Sequence, residues 1–488
     1  MGATIWRRLA SVAAVAVVAV IAHMCASFGL FLSFPAWVAP VVIGAAVAAA
    51  CRQNWATSAT GTAIGVTIAV LAFGLGTVRI PIPGLESSAA SLAIFVVLGS
   101  AASAGAAFAL ERLAATPRAE WIFAIVLVVV IVAALWTTAE AVNSGAMTTG
   151  TGSLNERLMV RPNAMPYDSD LYLRLFYDVH DGLSYYDTAT QIYRPYLEDN
   201  RVAVGVTSYR LPTLFYLWRL LPRRGDAIPW AFLAFATLAV ASAFAISAQL
   251  SRPGVAVLGG LFMATAYLRI AANDLVLFVD GWAMALSLCG IALYISSVLR
   301  GSRRLLWASV AVLFAGAALR EIMIYPLLIG AASVLLLPSK RRWRELVPWL
   351  VGLAGFAAVY IAHIIFIAGR VNGAAGTWLQ GGVGHVWATL QFFQPTFGAA
   401  PWLLPALALA GVLGALSIRR AQLRISAFLT VAIAAPLLGF LVLGNGGQDM
   451  QTGAISGYWG MLVVPIALAA APLSIAKLLV AIKAPSAR

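Results

Sequence analysis

The sequence predicts an all-α polytopic membrane protein, and three observations carry that prediction. Of 488 residues, 62% are hydrophobic and 10% charged, with a mean hydropathy of +0.91, whereas soluble domains carry about a quarter charged residues. Apolar runs recur at roughly 17–25 residues, the length that crosses a bilayer as a helix. The basic residues gather at the ends of those runs rather than on one soluble face. The net charge of +14 therefore reports membrane orientation, not nucleic-acid binding.

Taken in order, the chain opens with M-G-A-T-I-W-R-R, which resembles the basic flank of a signal peptide. The apolar run from Leu9 to Leu32 is too long for a cleaved segment, so it reads as a retained first helix. Further spans are expected near 36–51, 61–78, 91–111 and 121–139, before a polar region. Beyond it, spans fall near 227–249, 254–272, 279–299, 304–319, 322–338, 346–368, 401–418, 424–443 and 457–481. That makes about 14 crossings, within a range of 13–15. Leu211–Leu221 is too short to cross at full thickness and carries Arg219, which favours a half-helix in the outer leaflet. The alternative is a crossing that makes Arg223 and Arg224 cytoplasmic and requires a neighbour such as 254–272 to dip back.

With a cytoplasmic N-terminus, 19 basic residues fall on the cytoplasmic side, among them Arg300, Arg303, Arg304 and Lys340. Outside the large loop, only Arg79, Arg269, Arg320 and Arg370 fall on the external side. This asymmetry places both termini in the cytoplasm and the polar region outside. Arg outnumbers Lys by 29 to 3, a bias of GC-rich bacterial genomes, so the expected location is a bacterial plasma membrane. Cys25, Cys51 and Cys289 lie in apolar segments and make no loop disulfide framework or metal spacing. The four histidines form no H-E-x-x-H or similar pair.

The external loop 141–226 is where polar chemistry concentrates, with nine of the chain's 18 acidic residues. Leu171, Leu173, Leu175, Phe176, Val179 and Leu183 give one apolar side to a helix that Gly182 ends, suited to lying on a membrane surface. Tyr185 and Tyr186 follow as an interfacial pair. His180 reads as a solvated surface residue.

Asp168 and Asp170 form a D-x-D pair, which holds divalent cations in nucleotide-sugar transferases and equally reads as a helix cap. Arg320-Glu321 sits between two apolar runs, and Arg269, Asn273, Asp274 and Asp280 occupy another tight external turn. Charges at membrane depth cost on the order of 2.5–3.5 kcal/mol each on insertion scales, so they line a cavity, bind something or pair. Arg320 has two readings: an ion pair locking helices, or a bidentate contact to an anionic phosphate. His385, in loop 369–400, and Tyr458, opening the last span, are candidate substrate-lining residues. An aromatic belt is the plainer reading for Tyr458.

The order of motifs adds a resemblance. An acidic residue, an amphipathic helix, G-L-S-Y-Y-D, then S-Y-R-L-P-T-L-F-Y-L-W-R-L-L-P resembles the GT-C superfamily of integral-membrane glycosyltransferases. The likeness is to its bacterial, polyprenyl-phosphate-mannose-dependent branch. The stretch from Leu299 through R-E-I-M-I-Y-P to K-R-R-W-R-E is similar as well. The likeness covers roughly Met165 to Glu345, with a weaker match at Tyr458-Trp459-Gly460. Two features depart from it. About five helices precede the acidic loop where the family has one, and Ala272-Asn273-Asp274-Leu275 stands where the family carries G-Q-x-N.

The resemblance implies a GT-C-like core at 119–345, preceded by added helices at 1–118 and followed by C-terminal helices at 346–488. It implies an inverting transfer of a sugar from a polyprenyl-phosphate donor to an external glycan or glycolipid acceptor. Asp170 would be the general base with Asp168 as helper, and Arg320 and Arg210 would meet the donor phosphate. Tyr172, Tyr186, Asn273, Asp274, Glu321, His385 and Tyr458 would line the substrate. No cofactor is needed; a divalent cation is compatible but not required, because arginine alone can stabilise a monophosphate leaving group. The alternative class is a transporter or flippase of a lipid-linked or anionic substrate. Transporters often show two similar halves, and no such halves are visible here.

Topology is directly testable. In a background lacking Cys25, Cys51 and Cys289, Asn200→Cys should react with a membrane-impermeant maleimide in intact cells. Ser339→Cys should react only after lysis, and the reverse pattern would overturn the external placement of the acidic loop.

Overall fold

The computed structural model describes residues 2–27, 30–31, 38–73, 88–113, 117–143, 168–199, 209–223, 225, 227–271, 274–338, 342–371, 382–397, 400–419, 422–442 and 456–483. These residues form helices, turns and short irregular connections, with no strand among them. An N-terminal group comprises α1 (Gly2–Ser27), α2 (Val38–Cys51), α3 (Trp55–Phe73), α4 (Ser88–Leu113) and α5 (Pro117–Asn143). The polar region contributes α6 (Asp168–His180), α7 (Tyr185–Asp199) and the short α8 (Thr213–Trp218). A central group follows: α9 (Ala227–Leu250), α10 (Pro253–Ala271), α11 (Val279–Arg300), α12 (Arg303–Leu319), α13 (Tyr325–Leu336) and α14 (Arg342–Ile367). The C-terminal elements are α15 (Val383–Gln391), α16 (Gln394–Phe397), α17 (Leu403–Leu416), α18 (Leu423–Gly439) and α19 (Val464–Lys483).

Eight helices are long and apolar enough to cross a membrane, and five further apolar helices are shorter. Each of the fourteen apolar segments read from the sequence overlaps a helix among the described residues. The segment 211–221 holds only the six-residue α8, about 9 Å long at 1.5 Å per residue, well short of the roughly 30 Å of a bilayer's hydrocarbon core.

The hub is α10. Every residue from Gly254 to Ala271 is buried except Arg269, as expected of a helix that is apolar on all sides. It packs against α1, α2, α5, α9 and α19. Small residues allow this crowding, because without a hydrophobic drive in lipid, helices associate through close van der Waals packing. A Cβ on Gly254 would lie 2.1 Å from the carbonyl oxygen of Ala49 on α2. At the same corner the Gly254 N–H donates to Glu120 Oε1 (3.3 Å) and Arg252 donates to the Ala50 carbonyl (2.9 Å). The outer helices present the opposite character. Ile122, Ile125, Val126 and Val129 on α5 and Leu350, Ile361, Ile365 and Phe366 on α14 leave apolar side chains uncovered, the surface lipid would cover.

The polar region departs from the expected membrane-lying arrangement. On α6, Leu171, Leu173, Leu175, Phe176 and Val179 are buried against protein. Phe176 meets Trp218 of α8, and Tyr172 meets Phe215 and Phe278. The apolar side that sequence pattern assigns to lipid is taken by the aromatic residues of the next segment. Leu183 alone of that set is exposed. Gly182 ends α6 at φ +93°. Its N–H donates to the Val179 carbonyl and that of Leu183 to the Asp178 carbonyl, the paired bonds of a Schellman cap. His180 is partly buried and donates from Nε2 to the Leu221 carbonyl (3.1 Å), so it ties α6 to the end of the α8 segment rather than standing in solvent.

Gly254→Ala should lower the Tm of the purified protein by an amount corresponding to about 1–3 kcal/mol, because backbone cannot yield to a new methyl group. Gly105→Ala on α4, where a Cβ would meet nothing within 4 Å, should leave Tm unchanged or slightly raised. Equal losses would mean the α2–α10 approach is not a packing constraint.

Candidate functional site

The charged cluster forms where the α11–α12 hairpin opens. Phe278 is extended (φ −77°, ψ 125°) and starts α11 so that Asp280 falls in its first turn, where the helix dipole favours a carboxylate. At the far end of the hairpin, Arg320 leaves α12 in extended conformation (φ −139°, ψ 111°). A 3-10 turn over Glu321–Ile324 then leads into α13, with Pro326 at the helix start, where its missing N–H costs nothing. Antiparallel packing brings that break beside Asp280.

Arg320 is 2% exposed. Its Nε donates to Asp280 Oδ1 (2.8 Å) and its Nη1 to Glu321 Oε1 (2.9 Å). Glu321 Oε1 also faces Arg210 Nη1 at 3.9 Å, and Arg210 Nε donates to the Tyr172 hydroxyl (3.1 Å). The cluster thus holds two cations and two carboxylates. Asp280 Oδ2 and Glu321 Oε2 are buried and accept no hydrogen bond among the described residues. Buried carboxylate oxygens are costly unless satisfied, so these two are acceptors in want of a donor.

A second layer positions Arg210. Its carbonyl accepts from the buried Tyr185 hydroxyl (2.7 Å), and Tyr185 stacks on Phe215 with centroids 5.2 Å apart. The Tyr209 carbonyl accepts from His363 Nε2 (3.2 Å). A carbonyl can only accept, so the proton is on Nε2 and Nδ1 is left to accept from the Tyr186 hydroxyl (3.0 Å). Burial pushes the Tyr186 phenol up to about 12, which keeps it a donor at neutral pH. Tyr186 also stacks on Phe366 (5.1 Å, 14°). Asp187 accepts from Arg370 (2.8 Å), whose bond holds its carboxyl below the usual range, and the Tyr209 hydroxyl donates to the Arg370 carbonyl (3.1 Å). These contacts latch α7 and the 209–210 segment onto α14 and the chain just beyond it.

Of the residues singled out in the sequence, Tyr172, Arg210, Arg320 and Glu321 come together, and Tyr186 joins them through His363. Asp168 and Asp170 occupy the first turn of α6; their side chains lie outside the described residues. The same holds for the side chains of Asp274, in the turn Asp274–Leu277, and of Tyr458, in the turn Ser456–Leu462. Asn273 is wholly outside them. His385 is buried on α15, edge-on to Phe440 (5.6 Å) and Trp459 (6.0 Å).

The Tyr185–Tyr186 pair departs from its reading as an interfacial anchor. Tyr185 is 1% exposed, because its ring fills the space over Phe215 and its hydroxyl is committed to Arg210. Asp280 was legible only as one charge in a turn, not as the partner of Arg320 40 residues on. Tyr209 and His363 were missed. The available signal for His363 was a lone imidazole within an apolar span, where polar groups seldom persist without a partner. Among the described residues, no group of three His, Cys, Asp or Glu side chains is placed to hold a metal ion.

Comparison with protein-family models, curated proteins and solved structures gives no match. The fold and the cluster define a chain with the architecture of a multi-pass helical membrane protein, built around a buried, charge-balanced Arg–carboxylate network.

Removing the central cation tests that network. Arg320→Ala should destabilise the detergent-purified protein by about 3–5 kcal/mol, because two buried carboxylates lose their counter-charge. Asp280→Asn combined with Arg320→Gln should recover part of the loss. Thermal unfolding of the single and double variants gives the comparison, and additive losses would mean that the two side chains are not coupled.

Proposed function

We propose that this protein is a membrane glycosyltransferase that moves a sugar from a polyprenyl-phosphate donor to an extracytoplasmic glycan or glycolipid acceptor. The observation that carries the reading is the Asp280–Arg320–Glu321–Arg210 cluster beside the amphipathic α6–α7 layer, with two buried carboxylate oxygens that accept no hydrogen bond among the described residues. A sugar offers hydroxyl donors to such oxygens, and a phosphate offers acceptors to arginine nitrogens. The motif order around Met165–Glu345 supports the same class.

In this reading the roles divide by geometry. Arg320 already faces two carboxylates, so it orients Glu321 and Asp280 and contributes positive potential. Arg210, tethered by its backbone to Tyr185 and by its side chain to Tyr172, is the direct phosphate contact. The acceptor hydroxyl attacks the anomeric carbon as the bond to the phosphate oxygen breaks. The hydroxyl proton passes to Asp170 in the first turn of α6, and the leaving polyprenyl phosphate keeps the electron pair. A single in-line displacement inverts the anomeric centre. A carboxylate suffices as base when the proton moves late in the displacement.

Positioned proton transfer contributes typically about 10²–10⁴-fold, so Asp170→Asn should lower turnover by roughly that factor at saturating donor and acceptor. Asp168→Asn should be milder. The measurement is release of free polyprenyl phosphate from a panel of labelled polyprenyl-phosphate sugars by purified protein in detergent. Turnover of Asp170→Asn within a few-fold of wild type would remove Asp170 as the base. Movement of lipid-linked sugar across vesicles with no release from any donor would replace the transferase reading with a flippase.

A further inference from the structure

A second polar site lies at the other end of the α11–α12 hairpin. The 17 residues of α12 span about 25 Å, with Arg320 at one end and Arg303 at the other. Around Arg303 the structure forms a partly open cavity of about 330 Å³, bounded by α11, α12, α13, α14 and α18. That volume lies at the lower end of the range for small-ligand pockets, about 300–1,000 Å³.

Its charged wall consists of Arg303, Arg344, Arg424 and Glu345, an excess of two positive charges. Arg424 is committed to Glu345 and to the Pro338 carbonyl. Arg303 and Arg344 form no hydrogen bond or ion pair among the described residues. The α11–α12 turn adds a third contribution. Gly301 at φ +60° and the Ser302 cap, which accepts from the Leu305 N–H (3.4 Å), put the start of α12 in the cavity wall. The first turn of a helix offers backbone N–H groups without intrahelical acceptors and a positive dipole end.

The rest of the wall is mixed, with Tyr294 and Ser297 beside apolar side chains. Val298, Leu306 and Val334 line it, together with the fully buried Trp349. The six-membered ring of Trp349 is seated on Gly330, where a Cβ would lie 2.3 Å from it, so the indole Nε1 edge faces away from α13. That Nε1–H donates to no acceptor among the described residues.

We propose that this cavity binds a phosphate group, held between the Arg303 and Arg344 guanidinium groups at the start of α12. Guanidinium forks match phosphate oxygens in pairs, a helix N-terminus is a ready anion site, and Glu345 fixes Arg424 so that the positive excess falls on the other two. The mixed wall fits either a phosphodiester of an anionic lipid headgroup, its glycerol side on Val298 and Leu306, or a free phosphate. This site is independent of the transfer chemistry at the Arg320 end and belongs to the side on which the basic turns are expected.

The experiment uses the full chain in dodecyl maltoside, which carries no phosphate, at constant ionic strength. Thermal unfolding is followed against inorganic phosphate and, separately, dioctanoyl phosphatidylglycerol. The expected result is a saturable rise in Tm. A response to both probes assigns the site to phosphate itself, and a response to the lipid alone assigns it to a headgroup. Arg303→Gln and Arg344→Gln, both on exposed side chains, should each weaken the apparent affinity by about ten- to hundredfold, the effect of removing one charge-assisted hydrogen bond. Arg8→Gln, which removes an exposed charge from α1, should not. Native mass spectrometry of retained phosphatidylglycerol gives a second readout that does not depend on variant stability. No saturable shift with either probe, or the same affinity in the double variant, overturns the proposal. An equal loss in Arg8→Gln reduces it to general surface charge and overturns it as well.

Discussion

Arg320, held between Asp280 and Glu321, is the interaction on which the rest of this structure depends. Its guanidinium joins the first turn of α11, the end of α12 and the 3-10 turn that starts α13. An arginine nearly sealed from solvent is tolerable only with its charge matched and its donors satisfied. Replacing such a network with apolar side chains is often neutral or stabilising in other proteins. Its cost is therefore understood better through chemistry than through stability. The balanced arrangement also leaves one oxygen of each carboxylate without a donor among the described residues.

The polar region is built to hold Arg210 against that network. Tyr172, Phe215, Tyr185, Trp218, Phe278 and Trp282 form a run of ring contacts, each pair worth about 0.5–1.5 kcal/mol beyond its buried area. The backbone at 209–210 is gripped on both sides, by Tyr185 through one carbonyl and His363 through the other. Positioning of this kind reduces the motion that a bound ligand would otherwise have to arrest. The two ends of the α11–α12 hairpin are then opposites. One carries a neutral cluster under a protein cap, and the other carries a cationic cavity among basic turns.

Much of the fold was legible from local pattern. Apolar run length located the helices because a helix satisfies its own backbone, so a span is specified by its residues alone. Gly182 was legible as a helix end because a positive φ is cheapest for glycine. Arg320-Glu321 was legible as a break where charges gather, because charges between apolar runs need either a partner or a ligand. What pattern misjudged was the destination of apolar faces. A helix that can lie on lipid and a helix that can pack on protein carry the same periodicity, and only the facing aromatic residues distinguish them.

By itself, then, the sequence determined the helical class, the positions of the apolar segments, the concentration of acidic residues between 141 and 226, and the breaks where charges could gather. Tertiary structure alone decided that Asp280 and not only Glu321 neutralises Arg320, that Tyr185 and His363 hold the backbone before α8, and that Arg303, Arg344 and Arg424 share one cavity. The physical reason is range. Hydrophobic run length and turn chemistry act over a few residues and can be read in order, whereas charge pairing and cavity formation join residues tens to hundreds of positions apart. Packing geometry, which no single segment encodes, brings those residues within reach of one another.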